Sequence, residues 1–342
     1  MVEYKYNSID LFAGCGGLTE GMRRAGFKTR VAVELEAEPA KAFRLNHPDA
    51  QLIQEDIRAI DMEDVKKMLD GSPLHLLAGC PPCQGFSSVR KLNKRASVRD
   101  PRNQLVVEYF RFVEELRPQT IMMENVPGLA DYYLFKKIVK QLKNIGYSID
   151  TQIVNVKDYG VPQSRRRLVM VGSTLGPITV AQGLKSHTTV RDTIGHLPTP
   201  EETSDPVHKI VARHSDAIRR RISLTPKNGG SRKDLPPEYT LDCHKDTAIG
   251  FNDVYGRLRW DTISTTITGG CLNPSKGRFL HPEQDRAITP REAALLQSFP
   301  EDYIFPVDVR KQSLALMIGN ALPPAFSFTQ SENIANHIAD HS

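Results

Sequence analysis

The sequence predicts an α/β protein: an open, Rossmann-like sheet accompanied by a smaller, irregular domain. Three observations carry this. Apolar runs of strand length alternate with amphipathic helical stretches through the first half of the chain. The first run ends in the glycine-rich turn Ala13-Gly14-Cys15-Gly16-Gly17-Leu18 and leads into a helix, the opening of a nucleotide-binding α/β unit. Beyond residue 173 the alternation fades while proline, glycine, histidine and charge rise. At 342 residues the chain has room for two domains.

Composition narrows the class further. Charged and apolar fractions are ordinary for a soluble globular protein. Five cysteines, an odd number without framework spacing, suggest a reducing compartment. No apolar run is long enough to span a bilayer, and the N-terminus lacks the apolar core of a signal peptide. A formal net charge of +5 gives mild support for an anionic partner.

Taken in order, residues 8–12 read as a strand and 19–25 as a helix. The dinucleotide fingerprint G-x-G-x-x-G fails at its third position, Thr19, which argues against a nicotinamide oxidoreductase. Residues 29–33 form a second strand that ends at Glu34, where a carboxylate can accept from ribose hydroxyls. A helix over 38–46 leads to a third strand, 51–54, with Asp56 and Ile57 at its end. Asp56 can accept from an exocyclic adenine amine or cap a helix. Together these strand ends suggest an adenosine-bearing cofactor with no cradle for phosphates.

The apolar run 74–78 is stopped by Gly79 and by Pro81-Pro82, since proline has a fixed φ and no ladder donor. Cys80-Pro81-Pro82-Cys83-Gln84-Gly85-Phe86-Ser87 thus lies at a strand's carboxyl end, where open α/β sheets gather their chemistry. Cys83 is the candidate nucleophile. A buried structural cysteine is the competing reading. Zinc is disfavoured because Cys15, Cys243 and Cys271 supply no second pair, and a redox C-x-x-C stays open. The basic stretch 89–102 reads as a loop able to grip phosphates or close over a substrate.

Residues 103–115 read as a helix and 118–123 as a strand ending in Glu124-Asn125-Val126. A helix over 134–145 and a strand over 149–156 follow. Residues 161–172 combine a turn, a basic cluster and a strand in which Arg165 and Arg167 project to one face. Past residue 173 come the basic clusters Arg219-Arg220-Arg221 and Arg232-Lys233, then strand-like stretches at 257–260 and 262–268. Thr289 caps a helix with Pro290 in its first position. A helix over 313–318, a tight turn through Gly319-Asn320-Ala321-Leu322-Pro323-Pro324 and an amphipathic helix over 325–341, packing back on the first domain, complete the chain.

In this order the residues resemble the DNA (cytosine-5) methyltransferases of the prokaryotic type. The likeness covers nearly the whole chain except about 173–253. It rests on Asp10-Leu11-Phe12-Ala13-Gly14-Cys15-Gly16-Gly17, on Pro81-Pro82-Cys83-Gln84-Gly85-Phe86-Ser87, and on Glu124-Asn125-Val126. Gln163 with Arg165 and Arg167, Arg257-Leu258 with the threonine-rich run, and Gly319-Asn320 complete it. Cys80 departs from a usual glycine, and Cys15 from a usual small residue. The cytosine methylases of tRNA share the signature; Gly85-Phe86-Ser87 looks like the DNA enzymes.

The resemblance implies a methyltransferase sheet over 1–175 completed by 312–342, a target-recognition domain over 176–285 and a hinge over 286–311. It implies S-adenosylmethionine as methyl donor, carbon 5 of a flipped-out cytosine in a specific duplex DNA sequence as target, and no metal. Cys83 would add to carbon 6, and Glu124 would share a proton with ring nitrogen 3. Arg167 would contact the base and the nucleophile's surroundings, while Arg165 would support loop and backbone. Phe12, Gly14, Gly16, Leu18, Glu34, Asp56, Ile57, Pro82 and Asn320 would hold the cofactor, Phe12 and Ile57 flanking the adenine. The expected setting is a monomer without membrane contact, on the nucleoid in a prokaryotic cytoplasm; whether it pairs with a restriction endonuclease of the same site or serves as an orphan or phage enzyme stays open. Which of Arg213, Arg219, Arg220, Arg221 and Arg232 reads base edges stays open.

Overall fold

A computed structural model describes residues 3–82, 105–184, 186–242 and 253–342. The chain forms two compact units, each described by itself. The first comprises the chain to Tyr159, the segment from Arg166 to residue 185, and Ala321–Ser342; the second comprises Gly160–Arg165 and Ser186–Asn320.

The first unit is built on β1 (Tyr6–Leu11), β2 (Phe27–Val33), β3 (Gln51–Ile53), β4 (Leu76–Gly79), β5 (Thr120–Asn125), β6 (Ser148–Asn155) and β7 (Arg166–Ser173). They form one seven-stranded sheet in the order β3-β2-β1-β4-β5-β7-β6. The strands from β3 to β5 pair in parallel, and β7 runs antiparallel between β5 and β6. Parallel neighbours need crossovers. These contain α1 (Gly17–Arg24), α2 (Ala37–Asn46), α3 (Met62–Leu69) and α4 (Leu105–Leu116), while α5 (Tyr133–Asn144) links β5 to β6. Ile9, Leu11, Leu77, Ile121 and Met123 from the central strands pack with Tyr109, Phe112 and Val113 of α4 in the core.

Helix α3 is absent from the sequence reading, yet its signals are present. Asp61 caps it by accepting from Glu63 N, and Met62, Val65 and Leu69 make a buried stripe at helical spacing. Strand β5 runs to Asn125, so Glu124 lies inside the strand end rather than beyond it. The C-terminal helix (Pro324–Asp340) packs on α1, where Ser327 Oγ donates to Leu18 O at 2.8 Å. A Cβ on Gly21 would meet Ser327 Cβ at 2.3 Å, so glycine is what lets these two backbones approach.

The unit boundaries differ from those read in the sequence. Residues 176–184 belong with the sheet, because Val180 N donates to Asp150 and Ala181 N to Gln330. The expected hinge 286–311 and the helix Lys311–Asn320 belong to the second unit. That unit holds short helices, Val190–Ile194, Asp216–Leu224 and Pro290–Leu296, among irregular chain. Thr289 caps the last of these in a full capping box with Glu292, with Pro290 in its first turn.

The strand-like stretches 257–260 and 262–268 are not strands; among the described residues they make only isolated bridges. Guanidinium groups take carbonyls that a ladder would use: Arg278 binds Arg257 O at 2.9 Å and Arg165 binds Ile267 O at 2.9 Å. The helix runs on through Gly319 and Asn320, so the break expected over 319–324 is confined to 321–323.

Candidate active site

The carboxyl ends of β4 and β5 converge on one spot of the first unit. Leaving β4, Cys80 N donates to Leu11 O at 3.2 Å. Asn125 Nδ2 donates to Pro81 O at 2.8 Å, and its Oδ1 accepts from Val126 N at 2.8 Å. The exit of β4 is thereby held against the end of β5. There Glu124 is 8% exposed, and Arg167 from β7 brings its Nε to 2.6 Å from Glu124 Oε1. Glu124 and Arg167 are therefore together.

Arg165 is not with them, and β7 begins only at Arg166, so the two arginines do not share a strand face. Arg165 is buried in the second unit, where it donates to Ile267 O and to Gly319 O at 2.8 Å. Gln163 is fully buried there too. It donates to Leu296 O and Gln297 Oε1 and accepts from Ile267 N. Both spend these donors on acceptors within that unit.

Cys83 lies outside the described residues, as does the basic stretch 89–102, and Pro82 is the last described residue before it. The other cysteine of the pair is described. Burial first, then the carboxylates of Glu124 and Asp10, push the Cys80 thiol well above the ordinary thiol range. A thiol kept protonated is a poor nucleophile. Of the two cysteines, Cys80 is thus the unsuited one.

The glycine turn after β1 is shaped by left-handed backbone at Phe12 (φ 62), Gly14 (φ 57) and Gly16 (φ 94). An aromatic residue rarely adopts this region, and such strain concentrates at functional turns. Gly14 N donates to Glu34 Oε2 at 2.8 Å and Glu36 N to Glu34 Oε1 at 2.7 Å. Burial raises the Glu34 pKa. Leu18 is buried behind the turn. Asp56 takes the capping alternative: its carboxylate accepts from Arg58 N at 3.0 Å and from Arg58 Nε at 2.9 Å, and these bonds lower its pKa to about 2. Ile57 is buried beside it and Pro82 is half-buried. Asn320 is exposed at a helix end in the second unit.

Two features of this region escaped the sequence reading. Asp10 is fully buried, accepts from Thr19 Oγ1 at 2.6 Å, and has no hydrogen-bond partner for Oδ1 among the described residues. Burial above all, with the Glu34 carboxylate adding to it, raises its pKa to about 7. Leu35, next to Glu34, is 56% exposed, a large apolar side chain at a strand end. Neither unmet burial nor exposure has a sequence signal.

Of the second unit's arginines, Arg213, Arg219 and Arg220 are exposed. Arg221 is tied to Tyr239 O at 3.0 Å, and Arg232 is buried. Among the described residues no helix is long and apolar enough to cross a membrane.

Comparison with known proteins agrees with this arrangement. The model of the C-5 cytosine-specific DNA methylase family matches residues 6–336. Type II methylase M.HgiDII of Herpetosiphon aurantiacus is 34% identical over 339 residues, covering 95% of this chain and 94% of its own. Type II methyltransferase M1.HphI of Haemophilus parahaemolyticus is 35% identical, covering 95% and 86%. Among solved structures, a prophage-encoded E. coli protein described as a DNA modification methyltransferase superposes with a TM-score of 0.75 at 25% identity, covering 98% of this chain and 100% of its own. Spodoptera frugiperda DNMT2 shares the fold with a TM-score of 0.67 at 16% identity, covering 97% and 100%. With the family match spanning almost its whole length, the chain belongs to the C-5 cytosine-specific DNA methylases, the DNA (cytosine-5) methyltransferases.

Proposed function

We propose that this enzyme methylates carbon 5 of a flipped-out cytosine in a specific duplex DNA sequence, with S-adenosylmethionine as donor and through a transient bond to Cys83. The observation that carries the reading is the buried Glu124–Arg167 pair, 2.6 Å apart, at the strand end next to the one that leads to Cys83. Carbon 5 of cytosine is a weak nucleophile. Addition of the Cys83 thiolate to carbon 6 forms a sulfur–carbon bond and pushes electron density onto carbon 5, splitting one hard step into two. Glu124 shares a proton with ring nitrogen 3 and offsets the charge that builds up there. Arg167 holds the carboxyl in place and faces the base. Loss of the carbon 5 proton and elimination of the thiol restore the aromatic ring. Extrusion of the base from the duplex costs on the order of a few kcal/mol.

The residues present fit the donor. Each Glu34 oxygen accepts one backbone N–H, so lone pairs remain for ribose hydroxyls. The Asp56–Arg58 pair is largely exposed, and such a pair rearranges at little cost, which frees an acceptor for an adenine amine. Phe12 and Ile57 would flank the adenine, with Gly14, Gly16, Leu18 and Pro82 completing the contacts. When bound, S-adenosylmethionine supplies a methyl group on a positively charged sulfur, electrophilic enough for an activated carbon 5.

The second unit serves as the target reader, with exposed Arg213, Arg219 and Arg220 favoured over Arg221 and Arg232 for base edges. The type II names of the relatives support a cognate endonuclease acting on the same site. The test is a covalent trap: the protein is incubated with donor and DNA carrying 5-fluorocytosine. A denaturation-resistant adduct mapping to Cys83, and lost in Cys83→Ser, is expected; no adduct in the wild type refutes the covalent route. Bisulfite sequencing of plasmid from cells expressing the enzyme reports activity and target sequence together.

A further inference from the structure

Helix α5 (Tyr133–Asn144) follows the site closely in the chain. Only the 3-10 turn Pro127–Asp131 separates it from the end of β5, where Glu124 stands. Since β5 and β6 both run antiparallel to β7, α5 must carry the chain back from the carboxyl edge of the sheet. Its first turns lie nearest that edge. The helix has two distinct faces. Phe135, Ile138 and Leu142 recur at helical spacing and are buried in the core of the first unit. On the opposite face Tyr133, Lys136, Lys137, Lys140, Lys143 and Asn144 are exposed. No acidic residue occurs between Asp131 and Asp150, so the outward stripe carries four lysines and no carboxylate.

Other helices of the same unit answer their basic residues from within. Glu20 pairs with Arg23 and Glu63 with Lys66 at 2.8 Å, Asp64 with Lys67 at 2.9 Å, and Glu108 with Arg111 at 2.7 Å. On α4, which packs against α5, Glu108 faces Arg111 and Glu115 faces Lys66. Among the described residues none of the four α5 lysines is in an ion pair. Like charges three and four residues apart repel, so this stripe costs the helix stability that an anionic partner would return.

We propose that the lysine stripe of α5 is a docking surface for the phosphates of the duplex flanking the target base. The inference rests on the action on duplex DNA proposed above. Charge complementarity selects the occupant: an uncompensated row of ammonium groups beside the edge where Glu124 stands meets a polyanion that must pass that edge. Lys136 and Lys140 stand about 6 Å apart along the helix axis, the rise of about two nucleotides, with Lys137 beside them. Lys143 lies about 10 Å from Lys136 along the axis, away from the edge, and contributes least. An ammonium on a flexible stem is a point charge that accepts any phosphate geometry. The stripe therefore adds affinity on every sequence and reads no base.

The experiment compares the full chain as wild type with a glutamine triple variant, Lys136→Gln with Lys137→Gln and Lys140→Gln, and with the arginine triple at the same positions. Lys66→Gln with Lys67→Gln on α3 removes charge from a face whose lysines are already paired. Binding to a labelled mixed-sequence duplex of about 30 base pairs is measured across a salt series. Each lost phosphate contact lowers the slope of log affinity against log salt by about one. The glutamine triple is expected to lose about two to three from the slope and to bind about 10- to 100-fold more weakly, with a higher KM for unmethylated plasmid DNA. The arginine triple keeps slope and affinity, and the α3 pair leaves both in place. An unmoved slope in the glutamine triple overturns the proposal. So does an equal fall in the α3 pair, which would mean that net charge and not the stripe is felt. A slope that falls on transfer RNA but not on the duplex overturns the choice of partner. A wild type that binds no duplex sinks the proposed action on DNA itself, whereas wild-type binding and a 5-fluorocytosine adduct with an unmoved slope sink only the role of α5.

Discussion

Arg257 in the second unit and Glu124 in the first are both buried ionic side chains from signatures of the same family, and their surroundings differ in kind. Arg257 is fully buried and gives all of its donor groups to acceptors: Thr225 O, His281 O, Gln284 O, Ile222 O and Asp285 Oδ1. Arg286 and Glu292 close a buried bidentate pair at 2.7 Å nearby. In the first unit Glu124 Oε1 and Asp10 Oδ1 are buried without hydrogen-bond partners among the described residues. A saturated buried charge organises an irregular fold; an unsaturated one keeps capacity for a substrate. Residues that look equally functional in the sequence are separated by whether their polar atoms are already spent.

The contrast can be broken by mutation, and the largest effect is expected at Glu124. Glu124→Gln removes the shared proton while keeping shape and acceptor. Methyl transfer is expected to fall about 10²- to 10⁴-fold with little change in thermal midpoint. A midpoint drop matching that of an Arg257 variant would dissolve the distinction. Arg257→Ala leaves four carbonyls without their donor and Asp285 with Lys227 alone, and a cost of about 3–5 kcal/mol is expected in denaturant unfolding. Arg257→Lys should rescue little of it, because an ammonium cannot reach the same set of acceptors.

Titration sharpens the comparison, since Asp10 and His281 respond to pH with opposite sign. Asp10 has its pKa raised to about 7 in the fold, above the ordinary value near 4. The folded state therefore binds the extra proton between these values. The associated stability is fully present below about pH 4 and is lost as pH rises toward 7. Asp10→Asn should flatten that decline, an effect of order a few kcal/mol at neutral pH. His281 is pushed down to about 4, chiefly by burial, and its Nδ1 accepts from Glu283 N at 3.1 Å and Gln284 N at 2.9 Å. Its contribution is present above about pH 6.5 and is lost as pH falls toward 4. Hydrogen exchange resolved by segment across this range distinguishes the two; parallel responses in the segments around Asp10 and His281 would contradict the assignment. The smallest effect is expected for Lys94→Ala with Arg95→Ala. Their loss should weaken DNA binding and reduce its salt slope by about one per phosphate contact removed. An unchanged slope removes that role from these two residues.

Much of the first unit is legible because its signals are local. Alternating apolar runs, the glycine turn and the double proline place β1 to β5 within a few residues, and the Thr289–Pro290 start of a helix is met by a capping box. The misreadings come where tertiary partners override local pattern. The β-branched residues at 262–268 have strand propensity, yet Ile267 O is claimed by the Arg165 guanidinium and Thr262 O and Ser264 O by the amides of Val190 and Ser164. Arg165 and Arg167 have the spacing of one strand face, but the strand starts between them.

What the sequence determines by itself is the family, the sheet and the identity of the groups able to do chemistry, because these depend on residue type, order and short-range periodicity. Only the tertiary structure decides which of those groups are committed. It assigns Arg165, Gln163 and Arg257 to holding backbone and leaves Glu124 and Asp10 with capacity. Whether a buried polar atom has a partner depends on residues far along the chain, and no local pattern records it.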